Sequence, residues 1–214
     1  MAAPILILAA WPPELTALRR HRRRRSHQAA APVVLDTVGV GLVEAAIGAT
    51  ASIEKHRPQK LVLIGTAGVF PAARAAHPIG SVAVATTIHL ASQAVVEKSA
   101  YLPSTLPARL DTHRGLTRAI QRISDAPDAT VLCPLGITRT TRLARQRQRN
   151  PGAQLENLEA FAIARAAARA RIPFTAVLGI SNIVGPQGHT QWQANAAAAA
   201  ARANRAVAAW LQSN

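Results

Sequence analysis

With 214 residues the chain is long enough for one domain (1–214) with a sizeable core, and 49% of it is hydrophobic although only 3% is aromatic. Such a core relies on alanine and β-branched side chains, which favours helices packed tightly on a sheet. The net charge of +15 points towards polyanions as partners. A single cysteine, Cys133, excludes an intramolecular disulfide and fits a reducing, cytoplasmic compartment.

The N-terminal run "APILILAAW" is too short for a membrane span and lacks a basic leader; "PILILAA" (4–10) reads as a buried strand. A helix follows over about 13–20. The run "RRHRRRR" at 19–25 then reads as a helix end entering a solvated, arginine-rich loop at about 19–31. Apart from Lys55, Lys60 and Lys98 every Lys/Arg position is arginine, so this loop could draw nucleic acid at low salt, a partner not favoured over simple solvation. "VVLDTV" (33–38) is a second strand, and "LVEAAIGATASIEKH" (42–56) a helix with Val43, Ala46, Ile47, Thr50 and Ile53 on one face. "LVLIG" (61–65) is a third strand, ending in a tight turn "GTAG" (65–68).

Further on, "IGSVAVATTIHLA" (79–91) and "ATVLC" (129–133) are strands, with helices at 112–123 and 139–149. A short strand and a helix from about Leu158 to Arg171 precede the strand "PFTAVLGIS" (173–181) and a closing helix at 190–211. Strand–helix alternation of this kind predicts an α/β fold with a mostly parallel sheet covered on both faces. Ligands of such sheets sit at strand carboxyl ends, which selects Glu14, Gly65–Gly68, Gly136–Thr138, Glu159 and Asn182.

Several motifs fail. "GVG" (39–41) lies between a strand and a helix, but Glu44 stands where a dinucleotide fingerprint needs its third glycine. No Walker loop or Gly-x-Ser-x-Gly elbow occurs, and the histidines have no metal-ligand spacing, so neither cofactor nor metal is expected. Each strand-end residue also has a structural reading. Glu159 can cap its helix, Asn182 can organise a turn, and Glu14 can be a first-turn acid.

In order, "ILILAAWPPEL", "VGVGLVEAAIGAT", "LVLIGTAG", "IGSVAVAT", "ENLEAFAIA" and "PFTAVLGISN" resemble the purine nucleoside phosphorylase and nucleosidase superfamily. The resemblance covers most of the chain, except the arginine loop and about 92–128. Its nearest branches are futalosine hydrolase and methylthioadenosine/S-adenosylhomocysteine nucleosidase, and "GIT" (136–138) with "SNIVGP…W" (181–192) is more similar to the former. It implies a three-layer α/β/α sandwich with a mixed, mostly parallel central sheet, a ribonucleoside substrate, no cofactor and a homo-oligomer. By the same resemblance Glu14 activates water, Glu159 holds the ribose hydroxyls and Leu158 packs on the ribose. Thr66, Ala67 and Gly68 line base and sugar, with Gly136, Ile137 and Thr138 also at the substrate. Asn182 replaces the aspartate that protonates adenine. Asn157 replaces a glutamate, and Glu156 matches no site of the family.

That replacement has a chemical meaning. An amide is no acid at neutral pH, but it pairs a donor and an acceptor with the oxygen and ring N–H of a 6-oxopurine. The expected reaction is therefore hydrolysis of a 6-oxopurine nucleoside, with futalosine giving hypoxanthine in menaquinone biosynthesis as the best reading. Methylthioadenosine/S-adenosylhomocysteine nucleosidase, purine nucleoside phosphorylase and an inactive nucleic-acid binder are the alternatives.

Overall fold

The computed structural model describes residues 2–24, 32–149 and 151–213. Strands β1 (Ile5–Ala9), β2 (Val33–Thr37), β3 (Lys60–Val69) and β4 (Val82–Ala91) are followed by β5 (Arg109–Asp111), β6 (Asp128–Pro134), β7 (Leu155–Glu156) and β8 (Phe174–Ile183). Helices are α1 (Thr16–Arg24), α2 (Leu42–His56), a single turn α3 (Gln93–Val96), α4 (Arg114–Ser124), α5 (Thr141–Arg149), α6 (Ala160–Arg169) and α7 (Gly188–Gln212). A 3-10 turn, Pro12–Leu15, leads into α1.

The sheet is mixed. Pairs β1–β2, β1–β3, β3–β8, β4–β6 and β6–β7 are parallel, while β3–β7, β4–β5 and β4–β8 are antiparallel. Following β3 to β8, β4, β6, β7 and back to β3 closes a ring of strands. The period of two sorts β1 and β3 between two cores. Leu6, Leu8, Leu61 and Leu63 join the cluster that includes Ala45, Ala49 and Ile53 of α2 and Phe161 and Ile163 of α6. Ile5, Ile7, Val62 and Ile64 join the one that includes Leu18 of α1, Leu116 and Ile120 of α4, and Val207 and Trp210 of α7. The three layers agree with the expected sandwich.

Three details depart from the sequence reading. First, α1 runs to Arg24, so the start of the arginine segment is helical; residues 25–31 lie outside the described residues. Second, "GTAG" is no turn. β3 continues through Gly65–Gly68 to Val69, because β8 and β7 keep pairing with it beyond the end of β1. Third, α2 is rotated from the predicted face: of Val43, Ala46, Ile47, Thr50 and Ile53 only Ile53 is buried, alongside Ala45, Ala49 and Ser52, whereas Val43 and Ile47 are 63% and 62% exposed.

One irregularity lies close to the ends of these strands. Ala67 pairs with Ile180 but Gly68 pairs with Asn182, so Ser181 is an extra residue in β8. Such a bulge re-aims the side chains beside it.

Candidate active site

At the carboxyl ends of β1, β3 and β8 lies a cavity of about 380 Å³ whose wall includes Glu14, Thr66, Asn157, Glu159, Asn182 and Trp192. Strand β3 runs along it as a floor. A Cβ placed on Gly65 would stand 3.6 Å from a Glu14 oxygen, and one on Gly68 would stand 2.8 Å from Asn182 Nδ2. Three residues separate these points, about 10 Å of extended chain. Glu14 stands at one end and the Asn182 amide at the other.

Glu14 comes from the 3-10 turn after β1, a turn that "PP" at 12–13 pre-sets through its fixed φ. Trp11 N–H donates to Glu14 Oε2 (3.2 Å), and Thr66 donates to Oε1 through its N–H (3.1 Å) and its hydroxyl (3.4 Å). Buried Asn204 of α7 fastens the turn from behind: its Nδ2 donates to Glu14 O (2.6 Å) and its Oδ1 accepts from Leu18 N–H (3.0 Å). Burial, and then the nearby Glu159 carboxylate, push the Glu14 carboxyl up to about 7, against the hydrogen bonds from Trp11 and Thr66. A group poised there takes a proton from water at neutral pH.

Glu159 is buried at the start of α6. It is not itself the side-chain cap. Asn157 Oδ1 accepts the N–H groups of Glu159 (3.0 Å) and Ala160 (2.8 Å), which satisfies two donors of the first helical turn. Asn157 Nδ2 meanwhile donates to Glu159 Oε2 (3.0 Å) and to Thr66 O (3.1 Å). Gly41 N–H donates to Glu159 Oε1 at 2.9 Å. Gly41 has φ of +87°, a conformation open to glycine at little cost, so the rejected "GVG" motif serves to orient a carboxylate. Burial holds the Glu159 carboxyl above its ordinary value, with the Gly41 and Asn157 hydrogen bonds acting against it.

At the other end, the Ser181 hydroxyl donates to Asn182 Oδ1 (2.8 Å), with Ala67 O as a second acceptor in reach at 3.2 Å. The bulge residue thus fixes the amide that follows it. Asn182 is the penultimate residue of β8, not part of a turn.

Of the residues selected from sequence, Glu14, Thr66, Ala67, Gly68, Ile137, Leu158, Glu159 and Asn182 all line this one cavity. Gly136 and Thr138 do not; Gly136 O accepts from Arg147 Nη1 (3.1 Å), and buried Thr138 turns its polar atoms to Glu156. Sequence reasoning missed Trp11, Val40, Ser181, His189 and Trp192 on the wall. Trp192 stacks on His189 at 6.0 Å and lies 6.3 Å from Trp11, and its Nε1 donates to Thr66 Oγ1 (3.3 Å). The scarcity of tryptophan was the available signal: two of three tryptophans meet here.

Among the described residues, no group of three or more His, Cys, Asp or Glu side chains is placed to share a metal ion. None of the described helices is long and apolar enough to cross a membrane.

Known proteins resemble this chain in sequence and in fold. The futalosine hydrolase of Streptomyces coelicolor is 35% identical over 149 residues, a match covering 67% of this chain and 63% of that protein, so the matched part is under two thirds of that relative's length. The 5′-methylthioadenosine/S-adenosylhomocysteine nucleosidase of Neisseria meningitidis, solved with methylthio-immucillin-A, superposes with a TM-score of 0.87 at 18% identity over 100% of both chains. Futalosine hydrolase of Helicobacter pylori gives 0.86 at 12% identity over 99% of this chain and 98% of that one. Those structures share the fold, and the sequence model of the phosphorylase superfamily matches residues 4–212. With that match spanning nearly its whole length, the chain belongs to the phosphorylase superfamily.

Proposed function

We propose that the protein hydrolyses the N-glycosidic bond of a 6-oxopurine nucleoside, with futalosine as the substrate and hypoxanthine as the released base. The observation that carries this reading is the meeting of Glu14, Glu159 and Asn182 on one cavity. Cleavage leaves positive charge on the sugar and negative charge on the base. Glu159 keeps lone pairs beyond the bonds from Gly41 and Asn157, and accepts the 2′ and 3′ hydroxyls, bonds that strengthen as the sugar becomes cationic. Glu14 takes the proton of the attacking water. Asn182 pairs its amide with the 6-oxo oxygen and with N7 of the departing purine, which takes a proton from solvent as it leaves.

Water is favoured over phosphate as the nucleophile. The described cavity wall carries no arginine or lysine, so a phosphate dianion would face Glu14 and Glu159 without a countercharge. The resemblance to the Streptomyces coelicolor futalosine hydrolase supports futalosine among 6-oxopurine nucleosides. A part in menaquinone biosynthesis and a cytoplasmic location belong to this same proposal.

Association into homo-oligomers is part of the same reading. Val40 and Ile137 line the cavity yet are each 58% exposed, and Val43, Ile47 and Leu135, close to them in the chain, are exposed as well. A second copy of the chain covers these side chains and closes the cavity mouth. Light scattering would give more than one subunit, and charges at Val43 and Ile47 would shift it towards monomer.

The deciding experiment incubates the protein with futalosine, inosine and methylthioadenosine, with and without phosphate, and follows the free base. Release of hypoxanthine from futalosine without phosphate is expected. Adenine release alone, or turnover that requires phosphate and gives ribose 1-phosphate, would overturn the assignment. Unchanged behaviour of Glu14→Gln, alongside tight binding of nucleic acid, would instead favour an inactive relative that uses its arginines.

A further inference from the structure

A third carboxylate lines the cavity and has no part in breaking the glycosidic bond. Glu156 is only 7% exposed, and it sits where β7 meets β3, paired with Gly68. Gly68 is also the residue over which the Asn182 amide lies. Glu156 therefore belongs to the amide end of the cavity, away from Glu14. Thr138 N–H donates to its Oε1 (3.0 Å), while the Thr138 hydroxyl and Arg147 Nη1 (3.3 Å) both serve Oε2. A carboxylate offers about four lone-pair positions, and Oε1 keeps one of its two. Arg147 is itself buried and pairs with Glu156. Burial raises the Glu156 carboxyl, and Thr138 and Arg147 act against that rise.

We propose that Glu156 is a specificity-determining residue that accepts the N1–H of a 6-oxopurine held by Asn182, an inference that rests on the proposed nucleoside hydrolysis. The chemistry discriminates by sign. A 6-oxopurine presents a donor at N1, which an ionised carboxylate accepts. Adenine presents a lone pair at N1, and a carboxylate has no proton to offer it. A site built to pair a ring N–H rejects the analogue lacking it, because its own polar group is then left unpaired. The same network explains Thr138: it braces Glu156 from behind the wall and does not touch the ligand.

Calorimetry with free bases tests this. The wild-type protein should bind hypoxanthine at least about 100-fold more tightly than adenine or 1-methylhypoxanthine, which lacks the N1 proton. In Glu156→Gln, whose amide can donate to adenine N1, the preference for hypoxanthine over adenine should shrink at least about tenfold. If wild-type protein binds 1-methylhypoxanthine within about threefold of hypoxanthine, the inference is overturned. A folded Glu156→Gln that keeps the full preference overturns it too, leaving Glu156 as a brace for the 134–138 segment. Should that variant fail to melt cooperatively, the wild-type comparison decides alone. Wild-type protein that prefers adenine would remove the functional reading itself, and this inference with it.

Discussion

The two ends of the cavity treat their carboxylates differently. Glu156 is neutralised by a buried arginine 3.3 Å away and by Thr138. Glu14 and Glu159 receive only neutral donors, and the ion pairs among the described residues are His56–Asp36, Arg109–Asp111 and Arg147–Glu156. One end therefore has compensated charge and the other has uncompensated charge. The lesson is electrostatic. Two unpaired acids repel each other and resist ionisation, and a cationic sugar relieves both. A paired acid gains little from a passing cation and is suited to fixed recognition.

The largest expected effect breaks the uncompensated end. Glu14→Gln should lower turnover about 1,000-fold while nucleoside affinity stays within a few-fold, measured by base release and by calorimetry. Next comes Gly68→Ala, whose new Cβ would press on Asn182 Nδ2 at 2.8 Å and on Val184 at 2.9 Å. Activity should fall about 100-fold with little change in melting temperature if the amide, not the scaffold, gives way. Asn157→Ala frees the Glu159 carboxylate and uncaps α6; KM should rise, and stability should drop by about 1 kcal/mol in denaturant titration.

The smallest effect sharpens the comparison through pH. The Glu14 carboxyl titrates near 4.5 in the unfolded chain and near 7 in the native one, so between those values the native state holds more protons and stability falls as pH rises. Glu14→Gln should melt above wild type beyond about pH 7, and the gap should close as pH falls towards the ordinary carboxylate range. In the wild type, kcat/KM should climb with pH through about 7 as the base ionises.

Much of the fold is legible in the sequence because it announces itself locally. Buried strands such as β1 are continuous apolar runs, and the strand-end rule selects Glu14, Glu159 and Asn182 without coordinates. Readings fail where a partner from far along the chain decides. Gly65–Gly68 continue as strand because β7 and β8 pair there. The part played by Gly41 depends on Glu159, more than a hundred residues away. Glu156 matches no expected site because neither Arg147 nor Gly68 is its neighbour in sequence. Val43 and Ile47 share a stripe with Ile53, which is core, and helical periodicity cannot tell one apolar environment from another.

The strand ring carries a kinetic consequence. Its seam joins Gly68 to a two-residue strand that follows β4 and β6 in the chain, and β8, later still, supplies Asn182. Contacts between such distant segments form slowly, because the entropy of loop closure opposes them until the last piece docks. During refolding, helical signal should therefore return before any capacity to retain a purine, and chains stalled short of the final strand would be well ordered in part yet unable to hold ligand.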